Sequence, residues 1–64
     1  DLVGRHGVVY LTIPADRKPG GLVTVSLDDR TRQVSARADL ELKTGTDVRL
    51  ESDLGGGVFL VVKA

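Results

Sequence analysis

Leu22-Val23-Thr24-Val25-Ser26-Leu27-Asp28-Asp29-Arg30-Thr31-Arg32-Gln33-Val34-Ser35-Ala36-Arg37-Ala38 is the stretch that decides the fold. In residues 22–28, Val23, Val25 and Leu27 share one face while Thr24 and Ser26 share the other, the period of a half-buried strand. Residues 32–38 repeat the pattern, with Val34, Ala36 and Ala38 opposed to Gln33, Ser35 and Arg37. Between them, Asp28-Asp29-Arg30-Thr31 supplies turn chemistry, because aspartate side chains bond nearby backbone N–H groups. The two runs read as a hairpin, and the small inward residues of the second run suit a crowded barrel interior.

The same period extends outward in both directions. Before the hairpin, Gly7-Val8-Val9-Tyr10-Leu11-Thr12-Ile13, within residues 5–13, forms a first strand that stops at Pro14, which cannot donate to a ladder. Residues 14–21 hold both prolines, two glycines and charged residues at the tip, a long first loop. After the hairpin, residues 39–44 are too short for a stable helix. A fourth strand over residues 46–52 turns Val48 and Leu50 inward and Asp47, Arg49 and Glu51 outward. Leu54-Gly55-Gly56-Gly57 turns the chain into a fifth strand, residues 58–62, whose two faces are both apolar, so it is central or its outer face meets something.

Five short strands without a helix imply an all-β barrel, since closure removes the open edges a small sheet would expose. The long first loop, the hairpin and the short link after the third strand fit a Greek-key OB-type barrel, with an SH3-like barrel as the structural rival. A chain of 64 residues holds one thin core, so residues 1–64 read as a single domain. The chain starts at Asp1 and contains no methionine, which reads as a piece of a longer protein.

Composition narrows the function. Nine basic residues balance nine acidic ones and the isoelectric point is near 6.8, which removes the general attraction to nucleic acids and anionic membranes. Cysteine is absent, excluding disulfides and thiolate zinc sites. His6 has neither an elbow serine nor further ligands at useful spacing; Ser26, Ser35 and Ser52 occupy polar positions of ordinary strands. Gly55-Gly56-Gly57 is not followed by the Lys-Ser/Thr of a phosphate loop. Asp28 and Asp29 lack the spaced carboxylates of a calcium loop. No enzyme, metal or cofactor is expected. Single-strand nucleic-acid binding needs stacking aromatics in a basic groove, and Tyr10 and Phe59 have apolar flanks, while Arg30, Arg32 and Arg37 are offset by Asp28, Asp29 and Asp39. An OB domain binding nucleic acid or oligosaccharide is the alternative reading.

Leu2-Val3-Gly4-Arg5-His6-Gly7-Val8-Val9, Ile13-Pro14-Ala15, Ser35-Ala36-Arg37-Ala38, Thr44-Gly45-Thr46-Asp47-Val48-Arg49-Leu50 and Leu60-Val61-Val62 follow one another in an order that resembles the C-terminal soluble domain of NfeD-family membrane proteins. The resemblance is to the short, YuaF-like branch without a protease domain. It implies an OB-type barrel lacking the usual helix between strands three and four, tethered behind transmembrane helices outside this chain; the cytoplasmic side is the expected one, although positive-inside counting needs the transmembrane ends. It also implies a bacterial, non-catalytic interaction module associated with stomatin/flotillin-type (SPFH) scaffold proteins and with regulation of membrane proteases. The Ser-Lys, ClpP-like protease domain of long family members has no counterpart here. The loop Asp16-Arg17-Lys18-Pro19 departs from the family's glycine-rich loop. The apolar character of both faces of the fifth strand singles out Phe59 and Val61, with Tyr10 and Leu22, as an expected protein-facing patch.

Overall fold

In the computed structural model, which describes residues 2–64, the inner positions read from the alternation face one another. The strands are β1 (His6–Leu11), β2 (Gly21–Ser26), β3 (Thr31–Arg37), β4 (Asp47–Gly55) and β5 (Val58–Lys63), and no helix occurs among the described residues. They close into a barrel in the order β1-β2-β3-β5-β4, with β4 returning to β1. Every pairing is antiparallel except β3 with β5, which run parallel from Ser35↔Val58 to Arg37↔Leu60. A parallel pair cannot be joined by a hairpin, so the chain leaves β3, crosses the barrel end, forms β4 beyond β5 and returns. That crossover is the Greek-key connection of an OB-fold-like barrel and decides against a plain meander.

The interior is wholly apolar. Val9, Val23, Val25, Val48, Leu50 and Val61 are almost completely buried, and no polar or charged residue is buried among the described ones. With no buried polar pair to specify register, shape does the work: small Ala36 lies between Gly21 on β2 and Phe59 on β5, and Ala38 joins the same close-packed cluster.

Where an OB barrel usually carries a helix, this one is closed by backbone. Ile13 N–H donates to the Leu42 carbonyl at 2.8 Å and Leu42 N–H returns a bond to Ile13 at 3.0 Å, an isolated bridge that seats Ile13 in the core. β1 therefore ends at Leu11, two residues before the position the strand-forming run indicates, and Ile13 belongs to the closure. Gly21, read as loop, is the first residue of β2 and pairs with Ala36. A Cβ there would lie 2.6 Å from Ile13 Cγ1, so glycine makes room for the plug.

At the other hairpin, β4 continues to Gly55, and Gly56 and Gly57 form a two-residue loop with φ of 62° and 80°. Two successive positive φ values are those of a type I′ turn, whose twist matches the strands it joins. Leu54 is thus strand rather than turn. In β5, which lies between β3 and β4, Phe59 and Val61 fill the interior, and Leu60 is buried outside that core cluster.

Candidate protein-interaction surface

The four residues expected to form a patch divide between inside and outside. Phe59 is 7% exposed and Val61 1%, both in the core cluster. This corrects their assignment to a protein-facing surface: the parity of β5 turns them inward, and they offer almost no area to a partner in the folded chain. Tyr10 is 54% exposed and Leu22 half-buried.

Tyr10 owes its position to a bulge. β1 pairs Val9 with Val23 and Leu11 with Leu22, so Tyr10 is an extra residue opposite none on β2. A bulge breaks the alternation, and Tyr10 and Leu11 both face outward, the latter 47% exposed. The distorted segment is anchored on its other edge. Val9 N–H donates to Thr46 O at 3.0 Å, Gly45 N–H to Val9 O at 2.9 Å, and Thr44 Oγ1 to Tyr10 O at 3.4 Å. Val8, 43% exposed and paired with Thr24, extends the strip. Exposed apolar residues scattered singly need no explanation, but a contiguous strip on a chain this small is the kind of feature that marks a contact surface. Alternation in the sequence does not mark Val8 and Leu11 as surface residues. Their signal is the unbroken run Val8-Val9-Tyr10-Leu11, of the same kind as the run in β5.

The first loop is fastened to the β3–β4 link. Asp16 and Arg17 adopt positive φ of 61° and 58°, a region that costs an ordinary residue about 1–2 kcal/mol. The link holds them there: Asp16 N–H donates to Asp39 O at 2.9 Å, Arg17 N–H to Ala38 O at 2.8 Å, and Arg37 Nη1 to Arg17 O at 3.3 Å. Arg17 Nε donates to Asp39 Oδ1 at 2.6 Å. That hydrogen bond, aided by the opposite charges, holds the Asp39 carboxyl below its ordinary value and raises Arg17 further above its own. The charged residues of this loop thus have a structural task.

Other positions considered from sequence take ordinary places. His6 is exposed on β1, and no side-chain hydrogen bond among the described residues joins it to a serine. Asp28 lies in the β2–β3 turn, 3.7 Å from Arg5, and Leu27 N–H closes the turn on Arg30 O at 2.8 Å. No group of three His, Cys, Asp or Glu residues able to hold a metal occurs among the described residues. The outer side of β2 and β3, where OB-folds take oligonucleotides, carries Leu22, Thr24, Gln33, Ser35 and Arg37, whose Nη1 is given to Arg17 O, and the β4–β5 loop is two glycines. Tyr10 and Phe59 cannot stack on one strand of bases, since Phe59 is inside.

No family model and no curated protein matches the chain. Solved structures do. The soluble domain of the NfeD protein YuaF from Bacillus subtilis, determined in solution, has a TM-score of 0.80 and 32% identity over 98% of this chain and 74% of that one. The chain belongs to the NfeD family. The soluble domain of a Corynebacterium glutamicum membrane protein, described as implicated in regulation of membrane protease activity, shares the fold at a TM-score of 0.63, with 26% identity over 97% of this chain and 90% of that one. Both neighbours are soluble domains of membrane proteins by description or family, and no described helix of this NfeD chain is long and apolar enough to cross a membrane.

Proposed function

We propose that residues 1–64 form one domain of a larger membrane-anchored NfeD protein, a non-catalytic interaction module that stands in the cytoplasm. Its partner is a stomatin/flotillin-type scaffold or a membrane protease whose activity it regulates. The single observation that carries the reading is the bulge at Tyr10, which presents Tyr10 and Leu11 side by side next to Leu22. Membership of the family and the protease-regulating description of the Corynebacterium protein support the class of partner. A small patch suffices physically, because a domain confined to the membrane surface beside its partner meets it at an effective concentration near the millimolar range.

The test is co-purification of the full-length protein from detergent-solubilised membranes, with Tyr10→Ser and Leu11→Ser introduced together. Partner recovery falls while thermal unfolding of the domain is unchanged. Undiminished recovery removes the patch from the reading. Insensitivity of that recovery to salt separates it from nucleic-acid binding, which weakens steeply as salt rises.

A further inference from the structure

Strand β5 is laddered unevenly. Its pairing with β3 stops at Arg37↔Leu60, whereas its pairing with β4 continues to Val48↔Lys63; Val61 is 1% exposed, so past β3 the accessible edge is at Lys63. Ala64 N–H donates to Asp47 O at 2.9 Å. Because an antiparallel ladder alternates its bonding residues between edges, the Lys63 N–H is turned away from β4. On that side lies a groove of about 550 Å³ between β5 and the β3–β4 link, with Leu42 and Val61 among its walls and Leu40, 75% exposed, at its rim. Four charged residues border it. Asp39 is engaged by Arg17, which leaves Glu41 against Lys43 and Lys63, and neither lysine forms an ion pair among the described residues.

We infer that this groove takes an extended segment of a partner protein, added as a strand to the open edge of β5, with an apolar side chain against Leu42 and acidic residues beside Lys43 and Lys63. An unpaired edge is a template for strand addition, in which main-chain bonds give affinity and flanking pockets give specificity. With Val61 buried and the Lys63 N–H the donor turned outward, the edge offers a short ladder, so binding is weak and short-lived unless the partner is held nearby. The two lysines favour an acidic segment. The site uses residues other than the Tyr10 strip, and its success or failure is read separately from that of the proposed function.

The experiment is an NMR titration of the 64-residue chain with acetyl-Thr-Val-Thr-Val-Asp-Glu amide and with the same peptide ending in Lys-Lys. The acidic peptide is expected to shift the amides of residues 61–63 and of the β3–β4 link and to slow exchange of the Lys63 N–H. It is expected to bind more tightly than the basic one, with the preference lost at ~1 M salt, where the Debye length is about 3 Å. Lys63→Ala removes the charge and keeps the N–H, weakening binding about two- to threefold. Lys63→Pro removes both and weakens it about a further fivefold. Unchanged β4 amide shifts in the two variants show that the barrel is intact. Equal loss in both variants, shifts centred on Tyr10 and Leu11, or no saturable binding at about millimolar peptide overturns the proposal. So does protection of Lys63 by self-association without peptide. Lys63 protection in the unsubstituted chain reads the edge even if Lys63→Pro disturbs the strand.

Discussion

Replacing Gly21 with alanine would ordinarily stabilise a strand by about 0.5–1 kcal/mol, because glycine loses more conformational freedom on folding. In this barrel the sign reverses. A Cβ at position 21 would stand 2.6 Å from Ile13 Cγ1, 2.9 Å from Ile13 Cβ and 2.9 Å from the Ala36 carbonyl oxygen. Ile13 is completely buried and its backbone is held by both bonds to Leu42; Ala36 is laddered to Gly21 itself. Neither neighbour retreats cheaply, and overpacking of this kind costs about 1–3 kcal/mol. A loss of about 2–3 kcal/mol is a large share of the roughly 3–10 kcal/mol available to 64 residues. It corresponds to a fall in Tm of about 10–20 °C. Far-UV circular dichroism through urea and thermal unfolding measures it. The companion Ile13→Ala costs about 2–5 kcal/mol alone, but it removes the clashing Cγ1, so the double variant is expected to lose about 1 kcal/mol less than the sum. A Gly21→Ala chain with equal or higher Tm, or costs that simply add, would refute the reasoning that Ile13 plugs the barrel over Gly21.

Three further outcomes are expected of the same barrel. Phe59→Ala empties part of the core and is expected to cost about 3–5 kcal/mol, whereas Tyr10→Ser on the surface stays within about 0.5 kcal/mol; urea midpoints compare them, and a well-folded Phe59→Ala chain contradicts the inward placement. Gly56→Val forces a β-branched residue to a φ of 62° and is expected to cost about 1–2 kcal/mol, while Gly56→Asn costs little; equal midpoints for the two would argue against the type I′ turn. Asp39 has its carboxyl lowered from the ordinary 3.8 by the Arg17 hydrogen bond. The unfolded chain therefore takes up that proton more readily, and the contribution is complete above about pH 4 and lost as pH falls through the folded value. The stability gap between the unsubstituted chain and Asp39→Asn should close on acidification below about pH 4 and shrink in high salt; a gap independent of both would deny the ion pair any part.

Much of the barrel is legible in sequence because the pleat writes itself as alternation wherever one face is wet. Val23 and Val25, Val34 and Ala36, and Val48 and Leu50 lie on the inner face as their spacing indicates. Alternation is silent where both faces are apolar, and there the sequence misleads: Leu60 and Val62 are as apolar as Phe59 and Val61, and only the packing of the barrel puts the latter pair in its core. The bulge at Tyr10 is illegible for a different reason. Its extra residue is defined by the partner strand, through Val9↔Val23 and Leu11↔Leu22, and leaves no mark in composition. Gly21 reads as loop because it follows Pro19 and Gly20, while its role depends on Ile13, eight positions earlier. The charges of the first loop read as solvated for the same reason: Asp39, which fastens Arg17, lies 22 residues away.

The most direct test of the central claim is recovery of partners from detergent-solubilised membranes by the full-length protein and by a version lacking these 64 residues. A stomatin/flotillin-like protein or membrane protease that co-purifies with the complete protein and is lost with the truncated one makes the barrel the contact module, as proposed. Equal recovery by both would assign the contact to the membrane segment and contradict it.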